Sequence, residues 1–378
     1  MMKKRGTVHL EFDPKLNKLG KDKELRDGLS VVAQVGDTLW VANDETISLE
    51  RLTFQKSEDG NSYTYGDHKQ FPLIEYLPLL VPPLDDPKKK IEEADLEGLD
   101  YKDGYLWLVG SHSLKRKKAD KKDSEKDSIK NLADVSSDGN RFLLARIPIV
   151  EEDGTYTLKK EVEQDGERRT AALLDCTTEG SRITEVLEED DHLKRFLKIP
   201  GKDNGFDIEG LARVGNRIFL GLRGPVLRGW AVILEIEPEV SKKDPSKLKL
   251  KKLDPDDEGS TYRKHFIKLD GLGIRSMCEQ GDDLLILAGP TMDLDGPVAV
   301  YRWKGGARPE KESVIFDAAL SDGDIPFGKG DDHAEGMALF SPDGLEGASI
   351  LVVYDAASEK GRLRGESGVD ADIFLLPT

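Results

Sequence analysis

Short apolar stretches alternate with polar ones along the whole chain, and five pairs of them follow one grammar. A motif opens an apolar strand, Gly, Asp or Asn marks a turn, and a second apolar strand returns. The pairs are Asp27-Gly-Leu-Ser-Val-Val with Thr38-Leu-Trp-Val-Ala, Asp95-Leu-Glu-Gly-Leu-Asp with Tyr105-Leu-Trp-Leu-Val, and Asp207-Ile-Glu-Gly-Leu-Ala with Arg217-Ile-Phe-Leu-Gly. Gly273-Ile-Arg-Ser-Met with Asp283-Leu-Leu-Ile-Leu, and His333-Ala-Glu-Gly-Met-Ala with Ser349-Ile-Leu-Val-Val, complete the set. Aligning them makes Ser30, Glu97, Glu209, Arg275 and Glu335 equivalent, at intervals of 67, 112, 66 and 60 residues. A self-similar period of this length is the signature of a repeat architecture.

Each repeat extends to four strands. The outer candidates are 47–54 and 70–77, 141–150 and 155–162, 230–237 and 262–269, and 297–303 and 313–316. The last repeat offers only 371–376, and Thr7–Phe12 from the start of the chain supplies its missing strand, so that no sheet edge is left open. The expectation is an all-β, five-bladed β-propeller spanning 1–378 as one domain and closed by the N-terminal strand. The long interval holds two insertions, a polar loop at 115–139 and a small helical segment at 168–198, whose apolar residues suit a helix face. The same interval also has room for a sixth blade.

In a propeller the innermost strand runs along the channel and the next runs back. The start of the first and the end of the second therefore share one face. That logic gathers Glu97, Glu209 and Glu335 with the loops that carry His112, Lys115, Arg223 and Arg228, and with Arg275 and His333. Oxygen ligands from three glutamates suit a divalent cation, calcium or magnesium. His112 and His333 are the acid/base candidates, and Arg223, Arg228, Arg275 and Lys115 are the groups to hold an anion. The basic run Lys115–Lys122 reads as a solvated loop whose first two residues reach the site. A structural reading stands beside this one. Gly98, Gly210 and Gly336 allow close backbone approach at a crowded axis, and each glutamate stitches the ring by accepting from a neighbouring backbone amide.

Composition narrows the classes. The 378 residues carry a formal charge of −17, which argues against nucleic acid and anionic membranes as partners and leaves a small anionic molecule open. No apolar run is long enough for a transmembrane helix, and the first residues read as a strand rather than a secretory signal, so a cytoplasmic location is expected. Cys176 and Cys278 form no C-x-x-C pair and read as small apolar residues. No Gly-x-Ser-x-Gly, P-loop or Rossmann pattern occurs.

Asp95-Leu-Glu-Gly-Leu with Gly110-Ser-His-Ser-Leu-Lys-Arg-Lys, Phe206-Asp-Ile-Glu-Gly-Leu-Ala, Gly221-Leu-Arg-Gly-Pro-Val-Leu-Arg-Gly-Trp-Ala and Gly273-Ile-Arg-Ser-Met resemble a bacterial domain-of-unknown-function family related to the phytase-like, or esterase-like, propellers. The resemblance runs from about Asp27 to the C-terminus. It implies a propeller and, through the phytase-like relatives, calcium-assisted phosphoester hydrolysis. Ser30 and Arg275 depart from an all-acidic ring. The functional expectation is a metal-assisted hydrolase of a small anionic ester; the alternative is a noncatalytic propeller that binds a small ligand or a partner protein.

Overall fold

The computed structural model describes residues 2–21, 23–56, 63–81, 92–164, 166–253, 259–342, 345 and 347–376, with the backbone alone at 319–324. The fold is all-β and propeller-like. Strands Leu29–Val35, Leu96–Lys102, Asp207–Val214, Gly273–Gln280 and His333–Leu339 are the inner strands, and each pairs antiparallel with the strand that follows it. These five touch in a closed cycle, each against the next and the last against the first.

Apolar packing explains the cycle. Val31 and Trp40 of the first repeat bury with Leu96 and Leu106 of the second, and Val109 and Leu144 with Ile208 and Leu220 of the third. Ala212 and Phe219 meet Ile274 and Ile286, Leu285 and Val300 meet Met337 and Ile350, and Leu351 and Ile373 meet Val32 and Leu39. Each sheet is thus covered on both faces, which is why its strands read as near-continuous apolar runs such as Leu284-Leu-Ile-Leu-Ala288. Each fully buried side chain of this size contributes about 1.5–3 kcal/mol.

The expected closure is present. Strand Lys4–Glu11 pairs antiparallel with Gly368–Leu375, which pairs in turn with Ser349–Asp355. Its other edge lies parallel to Tyr63–Pro72 of the first repeat. The chain start therefore bridges the last repeat and the first, and Val8 and Leu10 are buried there.

Three outer elements differ from the pattern reading. Residues 155–158 only extend a hairpin with Leu144–Glu152, and Ala172–Leu174 takes the fourth place in the second repeat. The segment 168–198 therefore has one α-helix, Arg182–Leu187, instead of a helical insertion. A short apolar run fits strand and helix periods alike, and Leu173 and Leu174 went to strand. Ile183, Leu187 and Leu193 do bury against the body. In the fourth repeat, Ser313–Ile315 joins Tyr262–Lys268 of its neighbour in parallel, and Ala319–Ile325 fills the fourth place. That strand is rich in Asp and Gly, which β-propensity disfavours. Finally, the insertion 115–139 is more than a loop. It holds a short hairpin, Lys115–Arg116 with Val135–Ser136, and helix Glu125–Ala133, whose Ser124 Oγ accepts from the Asp127 N–H.

Candidate functional site

Ser30, Glu97, Glu209, Arg275 and Glu335 each sit at a register shift between the inner strand and its partner. A bulge leaves one residue out of the ladder and re-aims its side chain. Five repeats thus use one backbone device to turn one residue toward the axis. The next residue is Gly in three of them because a neighbouring strand passes close. A Cβ on Gly98 would meet Leu211 Cβ at 2.6 Å, and one on Gly336 would meet the Ser30 carbonyl oxygen at 3.0 Å.

Three of the axial side chains form one ionic chain with Arg223. Arg223 Nη1 donates to Glu209 Oε1 at 2.7 Å. Arg275 Nη1 lies 3.3 Å from Glu209 Oε2 and donates to Glu335 Oε1 at 2.7 Å. The other arms of these arginines are tied to backbone: Arg223 Nη2 to the Met292 carbonyl at 3.3 Å, and Arg275 Nη2 to the Pro290 carbonyl at 3.1 Å. All four side chains are largely buried. Nearby, Arg141 bridges Glu93 and Asp95, each at 2.7 Å.

The remaining arc is built differently. Ser30 Oγ donates to the Leu96 carbonyl at 2.7 Å, across the seam to the next repeat. Among the described residues Glu97 makes no ion pair or side-chain hydrogen bond, and it faces a cavity of about 550 Å³ that Asp44, Asp95 and Asp207 also line. It keeps part of its surface open to that cavity. Its depth inside the ring, and then the negative charge of Glu209, Asp95, Glu335 and Asp44, push its carboxyl well above the ordinary Glu value. Burial and then Asp95 and Asp355 do the same to Asp44. Asp207 is pushed up to about 7 by burial and Glu209, against the pull of Arg223. Glu335 is also raised, by burial and then Asp355, with Arg275 opposing.

Basic side chains line the cavity beside these acids. Lys115, Arg116, Lys117 and Lys118 all line it, together with Lys202 and Arg223. The run is thus more than a solvated loop. Arg116 reaches Asp203 at 2.7 Å, Lys115 pairs with Glu93 and Asp138, and Lys118 pairs across the mouth with Asp293 at 3.3 Å. A second cavity of about 450 Å³ adjoins the first and shares Lys118, Lys202, Arg223, Glu335 and Asp355 with it. His333 lies there, with Nε2 at 3.1 Å from Asp295 Oδ1.

The structure therefore brings Glu97, Glu335, Lys115, Arg223, Arg275 and His333 to one mouth, with Glu209 beneath it. Two candidates fall outside. His112 lines neither cavity: it is buried, with Nδ1 at 2.9 Å from the Gly110 carbonyl and Nε2 unpartnered, and burial holds its pKa down at about 4. Its left-handed backbone, φ 57°, turns it inward against Phe142. Arg228 is exposed and lines neither cavity, because its own left-handed turn, φ 53°, carries it out of the loop. Glu209 and Glu335 accept from arginines, not from the neighbouring amides that the stitching alternative foresaw.

A divalent cation does not fit these residues. Among the described residues, no group of three or more His, Cys, Asp or Glu side chains is gathered to hold a metal ion. Two of the three glutamates already face guanidinium groups, which occupy the place a cation would take. Sequence reasoning also missed Lys202 and Arg141. Lys202 lies in the turn before the Asp-Ile-Glu-Gly motif and Arg141 in the turn Gly139–Phe142, and neither position belongs to the repeated pattern. Burial pushes the thiols of both cysteines up, that of Cys176 to about 11, so neither is a poised nucleophile. No helix among the described residues is long and apolar enough to cross a membrane.

The other end of the inner strands has a smaller cavity of about 190 Å³. There Lys102 pairs with Glu279 at 2.6 Å, and Asp100 accepts from the Arg213 backbone N–H at 2.6 Å. Glu97 and Lys202, which make no ion pair among the described residues, both line the cavity at the first mouth.

Solved structures with a similar arrangement include an exo-1,5-α-L-arabinanase from a bovine ruminal metagenomic library, at 10% identity and TM-score 0.38, covering 96% of this chain and 100% of that one. A phage phi92 endosialidase matches at 9% identity and TM-score 0.34, over 98% of this chain and 69% of its own. The Bombyx mori GH32 β-fructofuranosidase BmSUC1 matches at 9% identity and TM-score 0.33, over 93% of this chain and 59% of its own. Likeness this loose carries no argument about chemistry. No curated protein matches the sequence. A family model does match, over residues 28–372, and by it the chain belongs to the family described as "Protein of unknown function (DUF3616)".

Proposed function

We propose that the ring is a five-bladed propeller forming one domain, and that its charged mouth hydrolyses a small anionic ester without a metal ion. The observation that carries this reading is Glu97: a carboxyl without an ion-pair or hydrogen-bond partner among the described residues, raised well above the ordinary Glu value by its surroundings, in a cavity that Lys115, Lys202 and Arg223 also line. A carboxyl whose pKa is raised by burial and neighbouring acids is suited to give a proton to a leaving group. Lys202, Lys115 and Arg223 hold the anionic part of the substrate. Water adds to the phosphorus or carbonyl carbon, and the bond to the leaving oxygen breaks. The leaving oxygen takes the Glu97 proton. Asp207, with its pKa near 7, takes a proton from the attacking water, and proton exchange with solvent resets both carboxyls.

The test is a screen of phosphomonoesters, phosphodiesters and carboxylic esters with and without chelator. Turnover is expected to persist in chelator. Glu97→Gln should lower kcat by about 10²–10⁴-fold while substrate still protects the protein against heating. Activity should rise through about pH 7 as Asp207 ionises. Turnover unchanged in Glu97→Gln removes the assignment. Ligand binding without turnover of any ester would favour the noncatalytic alternative.

A further inference from the structure

The two cavities at the mouth differ in chemistry, and the difference selects a substrate class. The one that holds Glu97 is lined mainly by charged side chains. Its neighbour adds Met292, Leu294 and Phe327. Those are three of the thirteen large apolar side chains that the described residues leave exposed, at 39%, 58% and 44%. Three of the thirteen converge on this cavity, against two, Tyr101 and Leu339, on the one at the other end of the inner strands, and apolar surface scattered singly means little.

The apolar cavity is anchored to the ionic chain beneath it. The Met292 carbonyl accepts from Arg223, and the Pro290 carbonyl from Arg275. The Leu294 N–H donates to the Met292 carbonyl at 2.7 Å, which tightens the turn that presents both side chains. Thr291 Oγ1 donates to Asn204 Oδ1 at 2.9 Å, tying the loop to the third repeat. Asp295 then fastens this loop to the one that carries Phe327: its Oδ1 accepts from the Gly330 N–H at 2.9 Å and pairs with His333. Lys202, Arg223 and Glu335 border both cavities. An anion held at that boundary has a charged, acid-bearing chamber on one side and an apolar shelf on the other.

Resting on the hydrolase reading above, we infer that the substrate is an ester of two unlike halves. Its anionic head is held by Lys202 and Arg223, and its aryl or alkyl arm lies on Phe327, Leu294 and Met292. Polar groups that converge beside apolar walls are the usual composition of a small-molecule site. The shelf supplies affinity, and the boundary cations fix the orientation. His333 is here a positioning residue: it holds Asp295 and, through it, the two loops.

Calorimetry with inorganic phosphate, methyl phosphate and phenyl phosphate tests the inference without requiring turnover. Phenyl phosphate should bind at least tenfold more tightly than methyl phosphate. The double variant Phe327→Ala, Leu294→Ser should erase most of that gap and leave inorganic phosphate unchanged, whereas Lys202→Ala should weaken all three alike. Both Phe327 and Leu294 are exposed, so the variant is expected to fold, and its melting temperature checks this. Equal affinity for methyl and phenyl phosphate overturns the inference, as does a gap that survives the double variant. Failure of all three probes to bind overturns it together with the anionic-substrate reading. Tighter binding of phenyl phosphate with no ester turned over upholds the two-part site and removes only the hydrolase.

Discussion

The axial ring has two arcs made by the same backbone device and filled in opposite ways. On one arc Arg223, Glu209, Arg275 and Glu335 alternate in charge and neutralise one another. On the other, Ser30 closes the seam with a hydrogen bond, and Glu97 faces Asp44 and Asp95 with no ion pair of its own among the described residues. Both occupy bulges at equivalent places in the repeat. The repeat therefore dictates where a side chain points, and its identity decides whether it stabilises the ring or stores a cost there. Stored electrostatic cost at a cavity is a signature of function more than of architecture.

The largest effect should come from breaking the neutral arc. Arg275→Met leaves Glu209 and Glu335 buried and facing each other with one guanidinium fewer. Removing one partner from a buried ion pair costs about 3–5 kcal/mol. Urea unfolding should show a loss of that size. A loss below about 1 kcal/mol would mean that the arc is no better paired than a surface salt bridge, and the contrast between arcs would collapse.

A smaller cost is expected where the two arcs share their geometry. Gly98→Ala places a methyl group 2.6 Å from Leu211 Cβ and 2.7 Å from Val109 Cγ1. Overpacking of this kind costs about 1–3 kcal/mol. Gly154→Ala serves as a control, because a Cβ there meets nothing within 4 Å and only its left-handed backbone, φ 76°, is strained. A Gly98→Ala loss no greater than the control's would show that the inner strands can move apart.

The five-fold grammar was legible because each inner strand carries a buried apolar core and its bulge residue at a fixed place before the turn. Closure by the N-terminal strand was legible because the last repeat was visibly short of one strand. The outer edge was not. Strand 172–174 has three residues, too few to impose a period, and strand 319–325 is held by ladder bonds in spite of its Asp and Gly. At the site, the repeat identified Glu97, Glu209, Arg275 and Glu335 as neighbours, since it fixes backbone direction. It could not reveal which of them would be paired, because that depends on arginine reach across repeats. His112 and Arg228 were misassigned for a backbone reason. Both adopt left-handed conformations that reverse the side chain's direction, and neither is a glycine or an asparagine, where such a turn is expected. Lys202 left no signal at all, being a lone lysine in an irregular turn.

The smallest effect, and the one of opposite sign, belongs to the unpaired arc. Glu97→Gln keeps the shape of the side chain and deletes the charge that its surroundings resist, so it should stabilise the protein by about 0.5–2 kcal/mol at neutral pH. The pH dependence fixes the cause. The pKa of Glu97 in the folded state is raised above its ordinary 4.5, so between those two values the native protein holds a proton that the unfolded chain has released. Stability must then fall as pH rises through that window, and it is fully present below it. Asp44 and Glu335 contribute with the same sign, and Asp207 does so up to about 7. Urea unfolding at pH 4.5 and at pH 8 should therefore show the gain from Glu97→Gln growing with pH. A gain that is the same at both values would assign it to packing, and Glu97 would then lose its claim to a proton held in reserve.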